Sequence, residues 1–329
     1  MLDTGEILRT PEAAFADLPD YPFAPHYCEV DGLRIHYVDE GSPNAETIFL
    51  FHGQPSWSYL YRHMIPGLVR AGYRVLAPDL VGFGRSDKPV DPGAHTYQAH
   101  VDWMTGFVRQ LGIRRAAAFM QDWGGLIGLR VLAAEPEWLS RLVVANTTLP
   151  DATGVARLLM PRVFKALALL SGSPTLDDFA KTLSFRHWTA YFARSEALEF
   201  GQILQLLTVR QLSVAEVSAY DAPFPDPRYY AGPRRMPQIV ASQLAENRAA
   251  WIEVLEHWRH PVLTLFSDKD PFLASRGLDG QFQKRFPGAE GQPHSTITEA
   301  SHFLQEDRGR EISEIVVKWL AKTGFPVPT

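Results

Sequence analysis

The feature that most constrains this chain is a rhythm of compact apolar runs: Thr47–Phe51, Arg74–Pro78, Ala116–Gln121 and 142–146. Each run leads into a helical pattern or a loop that precedes one, as at Tyr97–Leu111 and 126–134. Strands apolar on both faces that alternate with helices predict a mostly parallel sheet covered by helices. Residues 27–40 read differently. Leu33, Ile35 and Tyr37 alternate with polar neighbours, which predicts two short strands around a turn at Asp31–Gly32. The rhythm breaks after Pro150, and residues 151–230 show helical periodicity, several Pro and Gly, and no strand pattern. It resumes at 261–267 and 295–298, with a closing helix near 310–321. The organisation expected is an α/β core from residues 1–150 and 231–329, interrupted by a helical cap at 151–230.

A chain of 329 residues, 46% hydrophobic and 21% charged, is large enough for one such domain with its insertion. A net charge of -5 with scattered basic residues leaves no footprint for nucleic acid, and Arg114–Arg115 reads as a solvated turn. Cys28 is the only cysteine, which excludes a disulfide framework and a thiolate metal cluster and suits a reducing cytoplasm. The first 15 residues lack a basic n-region and an apolar run, so no signal peptide is expected. No run of 18 apolar residues exists for a membrane span. A cytoplasmic monomer without nucleic-acid or membrane partners is expected.

The sequence Met120-Gln121-Asp122-Trp123-Gly124-Gly125 falls at a strand-to-helix junction. Such a junction resembles the nucleophile elbow of α/β-hydrolases, with Asp in place of Ser. Met120 departs from the small residue usual two positions before the nucleophile. Taken alone, Asp122 fits a helix N-cap as well as a nucleophile. A carboxylate nucleophile forms an ester that only an activated water removes, so it needs a base and an acid that orients the base. His302 follows the last strand and stands out among 11 histidines by chain order. The acid is Asp270, immediately before Pro271; Asp268 is its competitor, read as a loop-capping or solvent-facing residue.

The ester's tetrahedral intermediate needs preorganised donors. The Trp123 amide, next after the nucleophile, supplies one, and the loop His52-Gly53-Gln54-Pro55 offers the Gln54 amide as the second. His52 reads as structural. Indole N–H groups suit a leaving halide, because they donate a hydrogen bond without a competing acceptor. Trp123 adjoins the nucleophile, and Trp188 is the only Trp between Trp138 and Trp251. A cap tryptophan commonly serves packing; the constellation around Asp122 favours halide binding.

The segments His52–Arg62, Pro78–Pro89 and Gln121–Gly125 resemble those of haloalkane dehalogenases. The similarity runs from about Thr10 to the C-terminal helix and is thinnest between Thr153 and Leu212. The first two motifs are shared with epoxide hydrolases; Gln before Asp-Trp-Gly-Gly is more discriminating, since epoxide hydrolases tend to have His there. The resemblance implies an α/β-hydrolase fold with a mostly parallel eight-stranded sheet flanked by helices. It implies the branch with its acid at Asp270, Asn146 standing where another branch has Glu, and with Trp188 as second halide donor. It further implies that Phe224, Pro225, Phe272 and Leu273 wall the pocket and that Asp79 and Arg85 form a structural pair. A small apolar halogenated substrate, a halide ion and water are the implied partners, with no metal or organic cofactor.

Two enzymes compete with this reading. An epoxide hydrolase uses the same triad but activates its substrate with cap tyrosines, for which Tyr191, Tyr220, Tyr229 and Tyr230 are candidates. A fluoroacetate dehalogenase places Arg directly after the nucleophile, where this chain has Trp123. From another class, a binding protein on the same fold would lose a triad member, whereas all three are present.

Overall fold

The computed structural model describes residues 5–325. The chain begins with β1 (Ile7–Leu8), β2 (His26–Val30), β3 (Leu33–Glu40), β4 (Thr47–Phe51), α1 (Ile65–Arg70), β5 (Arg74–Pro78) and β6 (Lys88–Pro89). It continues through α2 (Tyr97–Leu111), β7 (Ala116–Gln121), α3 (Trp123–Ala134) and β8 (Leu139–Ala145). Helices then follow without a strand: α4 (Gly154–Leu170), α5 (Leu176–Thr182), α6 (Phe185–Arg194), α7 (Phe200–Leu206), α8 (Val214–Asp221), α9 (Ala231–Ile239) and α10 (Leu244–Glu253). The chain closes with β9 (Val262–Ser267), α11 (Leu278–Arg285), β10 (Ser295–Ile297) and α12 (Leu304–Lys322).

Eight strands form one sheet in the order β10-β9-β8-β7-β4-β5-β3-β2. All neighbours are parallel except β3, which runs antiparallel to β2 and to β5. Every residue of β4, β7 and β9 is buried, as expected of strands covered on both faces. The strand order reverses between β4 and β7, because the chain steps outward to β5 and returns to the other side of β4. A crevice opens at the C-terminal ends of the strands at such a switch point. The loop after β4 carries Gln54 and the turn after β7 carries Asp122, so both reach it.

Helices flank the sheet in two groups, α1 with α12 and α2 with α3, and α10 packs on α3. Above the strand ends, α6 gathers α4, α5 and α9, while α7 pairs with α8. α9, just past residue 230, touches both α6 and β6. Among the described residues no helix is long and apolar enough to cross a membrane.

Three element starts differ from the sequence pattern by three residues or more. β8 starts at Leu139 rather than 142, because Ser140 and Arg141 satisfy their side chains on Arg115 O and Thr323 and so belong to a strand despite their polarity. α3 starts at Trp123, where glycines had hidden the helix. α12 starts at Leu304, its first turn holding Glu306 buried against Arg62 and Arg210, and breaks at Arg308 (φ -135°) before continuing. The β1–β6 ribbon, two residues a side, is too short to leave a pattern. Met120, unusually bulky for an elbow, fits because α3 presents Gly128 to it; a Cβ there would collide with the Met120 thioether.

Candidate active site

Asp122 takes φ +50° and ψ -126° between β7 and α3. A non-glycine residue in this region costs roughly 1–3 kcal/mol and persists only where the surroundings fix it. Here the Asp122 amide donates to Asn146 O at 3.1 Å, and its carbonyl accepts from Thr147 Oγ1 at 2.7 Å and Gly125 N at 2.9 Å. The side chain makes no capping bond to α3, so the N-cap role is not realised. Instead Oδ1 accepts from the Gln54 amide at 2.8 Å, and Oδ2 lies 3.5 Å from His302 Nε2. Gly53 is required at this contact, because a Cβ on it would fall on the Asp122 carboxylate. The Trp123 amide opens α3, where a helix leaves its first N–H groups without an intrahelical acceptor.

His302 Nδ1 is bonded to Asp270 Oδ2 at 2.8 Å. Asp270 is buried, and its Oδ1 accepts from the amides of Phe272 (2.7 Å) and Leu273 (3.1 Å), which fixes the carboxylate. Asp268 is exposed, and its side chain accepts from the Ala300 amide at 3.3 Å. Asp270, not Asp268, therefore meets His302. Burial alone would lower the His302 pKa, but the Asp270 and Asp122 carboxylates outweigh it and push the imidazole up to about 10. Its peptide is also held: Asn146 Nδ2 donates to His302 O at 3.1 Å, and Gln121 Nε2 donates to the same oxygen at 3.1 Å. His52 ties the Gln54 loop down, with Nδ1 on Gly53 O and Nε2 accepting from the Leu80 amide.

A cavity of about 70 Å³ lies on this triad, lined by Gln54, Asp122, Trp123, His302, Trp188, Phe272 and Leu273. Trp188, from α6, is held by ring contacts with Phe192, Phe179 and Phe272 at 4.7, 5.4 and 5.6 Å. Phe272 also makes an edge contact with His302 at 5.6 Å. Among the described residues neither the Trp123 nor the Trp188 indole N–H has a hydrogen-bond partner. A second cavity, about 300 Å³, shares Thr148, Phe185, Val240, Phe272 and Leu273 as walls and extends to Met160 and Arg276.

Some sequence assignments need correction. Phe224 does not wall this cavity; it stacks on Phe200 at 4.1 Å and meets Phe83 and Tyr230, its turn being anchored by Thr10 on Pro223 O. Pro225, next in that turn, is exposed. Asp79 and Arg85 do not pair through their side chains: the Arg85 amide donates to Asp79, while its guanidinium reaches Glu12. Asp79 instead binds His36 and the Ser58 amide, each at 2.7 Å. None of Tyr191, Tyr220, Tyr229 and Tyr230 lines the cavity. The Tyr191 hydroxyl accepts from the Glu199 amide, and that of Tyr220 donates to Glu306. Leu126, Thr147, Thr148, Phe185 and Val240 complete the lining. Phe185 stands three residues before Trp188 on α6 and Leu126 four after Asp122, spacings that share a helix face; Val240 leaves no sequence signal.

A family model described as the alpha/beta hydrolase fold matches residues 46–308. A haloalkane dehalogenase of Psychrobacter cryohalolentis is 44% identical over 96% of this chain and 98% of its own length. The chain belongs to the haloalkane dehalogenases. A second dehalogenase relative, from Mycobacterium marinum, is also 44% identical, covering 95% of this chain and 99% of that one. Among solved structures, the tetrameric haloalkane dehalogenase DpaA from Paraglaciecola agarilytica NO2 superposes with a TM-score of 0.77 at 29% identity, covering 96% of this chain and 98% of that one.

Proposed function

We propose that this dehalogenase displaces halide from sp3 carbon with Asp122 and hydrolyses the resulting ester with His302. The observation that carries the reading is a small cavity lined by Asp122 and by the indoles of Trp123 and Trp188, with no tyrosine among its lining residues. A carboxylate oxygen of Asp122 attacks the halogen-bearing carbon from behind, the new C–O bond forms, and the halogen leaves with its bonding pair. The N–H groups of Trp123 and Trp188 receive the halide, whose charge they stabilise without competing for it.

Esterification removes the Asp122 charge that had helped raise His302. The imidazolium then gives its proton to solvent, and the neutral imidazole takes a proton from water as the water oxygen attacks the ester carbonyl carbon. The Gln54 and Trp123 amides stabilise the oxyanion, and Asp270 holds the imidazolium in orientation. Collapse expels the alkoxide, which takes the proton from His302. Asp122 returns to its carboxylate, and the proton it gives up restores the His302 imidazolium. The net reaction consumes haloalkane and water and yields alcohol, halide and a proton.

The cap at 151–230, a cytoplasmic location and a monomeric state complete the proposal. Asp122→Ala should abolish halide release from every haloalkane offered. His302→Phe should release one halide per site and retain the alkyl ester on Asp122. Absence of that mass increment in the intact protein sinks the two-step scheme. Sedimentation at the mass of one chain, 36.9 kDa, tests the monomer.

A further inference from the structure

Asp270 orients the His302 ring, and the loop that carries the ring is itself held in place. His302 lies in a loop whose carbonyls and amides are held from opposite sides. From the sheet, Asn146 Nδ2 and Ser267 Oγ donate to Ser301 O at 3.0 and 2.8 Å, and Asn146 and Gln121 donate to His302 O. The amides turn the other way. The Ser301 amide donates to Asp307 Oδ2 at 2.8 Å, and the Phe303 amide donates to Leu207 O at 3.2 Å. Asp307 stands in the first turn of α12. Its second oxygen, Oδ1, accepts from the amides of Val209 (2.7 Å) and Arg210 (2.9 Å) in the loop between α7 and α8.

One carboxylate thus takes three backbone N–H groups from two segments distant in sequence. Among the described residues nothing else receives the Ser301 amide. We infer that Asp307 is a positioning residue, which locks the Ala300–Ser301 peptide, next before His302, to the α7–α8 loop so that the imidazole faces the ester on Asp122. This rests on the two-step reading above. Halide displacement needs Asp122 and the cavity, whereas ester hydrolysis needs the imidazole in register. Asparagine at 307 would keep one acceptor but turn an NH2 group toward at least one amide N–H.

Asp307→Asn should therefore separate the steps. Rapid-quench measurement should find a burst of one halide per site at close to the wild-type rate. Turnover should then be about 10- to 100-fold slower, the range a misplacement near 1 Å produces, with the ester visible by intact mass. Equal slowing of both steps, or unchanged turnover, overturns the inference. Should the Asn variant not fold, Asp307→Glu serves, since it keeps the charge and displaces the carboxylate by one methylene. A folded Glu variant without the split also overturns it. Arg210→Ala is the control, because it removes a guanidinium from Glu216 and Glu306 while its amide stays on Asp307. It should lower the melting temperature and leave the burst-to-turnover ratio at the wild-type value; a ratio shifted as in Asp307→Asn would assign the effect to general loosening. A wild type that releases no halide would instead refute the proposed function itself.

Discussion

His302 carries two opposing pressures, and their balance changes within one turnover. In the free protein burial lowers its pKa while Asp270 and Asp122 raise it further, to about 10. Because the folded value lies above the ordinary 6.5, the stability this ion pair adds is fully present below about pH 6.5 and is lost as pH rises through about 10. In the alkyl-enzyme the Asp122 contribution is gone, and burial acts against Asp270 alone. Single-turnover ester hydrolysis should therefore accelerate with pH and titrate below 10, while the halide burst stays flat over roughly pH 6 to 9. A shared pH profile for both steps would contradict this. The halide site yields a second prediction. Trp188→Phe keeps ring packing against Phe179, Phe192 and Phe272 but deletes a donor to an anion, a bond contributing about 1.5–3 kcal/mol. kcat/KM for bromoalkanes should fall about 10- to 100-fold, with the rate of ester hydrolysis unchanged.

At the scale of elements, Asn146 joins the ends of three strands. It follows β8; its Oδ1 accepts from the Ser267 amide at the end of β9, and its own carbonyl accepts from Asp122 after β7. Asn146→Ala would strand the buried Ser267 amide and leave Ser301 O and His302 O with one donor each; an unsatisfied buried group costs about 1–3 kcal/mol, so a loss near 2–3 kcal/mol is expected in urea unfolding. A loss below about 1 kcal/mol would show that water replaces the amide. The residues this knot serves were legible in the sequence: Asp122, His302, Asp270 and Gln54 each lie in the turn or loop that follows a recognisable strand, and a strand end dictates position. Trp188 was legible too, as a lone indole in the insertion. Phe224 and Pro225 were not, because a turn between helices has no periodicity to say which way its side chains point. The starts of α3 and α12 were hidden for opposite reasons, glycines in one and buried charges in the other.

For the whole molecule, the alternating apolar runs foretold the parallel sheet and its interruption, since burial on both faces leaves a continuous signal. They could not foretell how the interruption is fastened. Arg62, fully buried after β4, bonds Glu216 of α8 at 2.9 Å and Glu306 of α12, and its guanidinium covers the Tyr59 ring. Arg210 and the Tyr220 hydroxyl complete the same cluster. His63, Glu216 and Glu306 lie close enough to suggest a cation site, but the two guanidiniums already satisfy both carboxylates. Burial would raise both carboxyl pKa values, yet the arginines hold them below the ordinary 4.5. The clasp therefore contributes above about pH 4.5 and is lost as pH falls below it. Removing one member of a buried pair typically costs about 3–5 kcal/mol, because the partner charge stays behind. In Arg62→Met, Glu306 is left with the Tyr220 hydroxyl and with Arg210, itself partly exposed, and the Glu306 pKa should rise above the unfolded value. The deficit relative to wild type should then be largest at neutral pH and narrow toward pH 4, as the stranded carboxyl takes up a proton. Urea midpoints across that range decide it: a deficit independent of pH would mean that Arg62 acts by packing on Tyr59, and not as the charge that fastens α8 to α12.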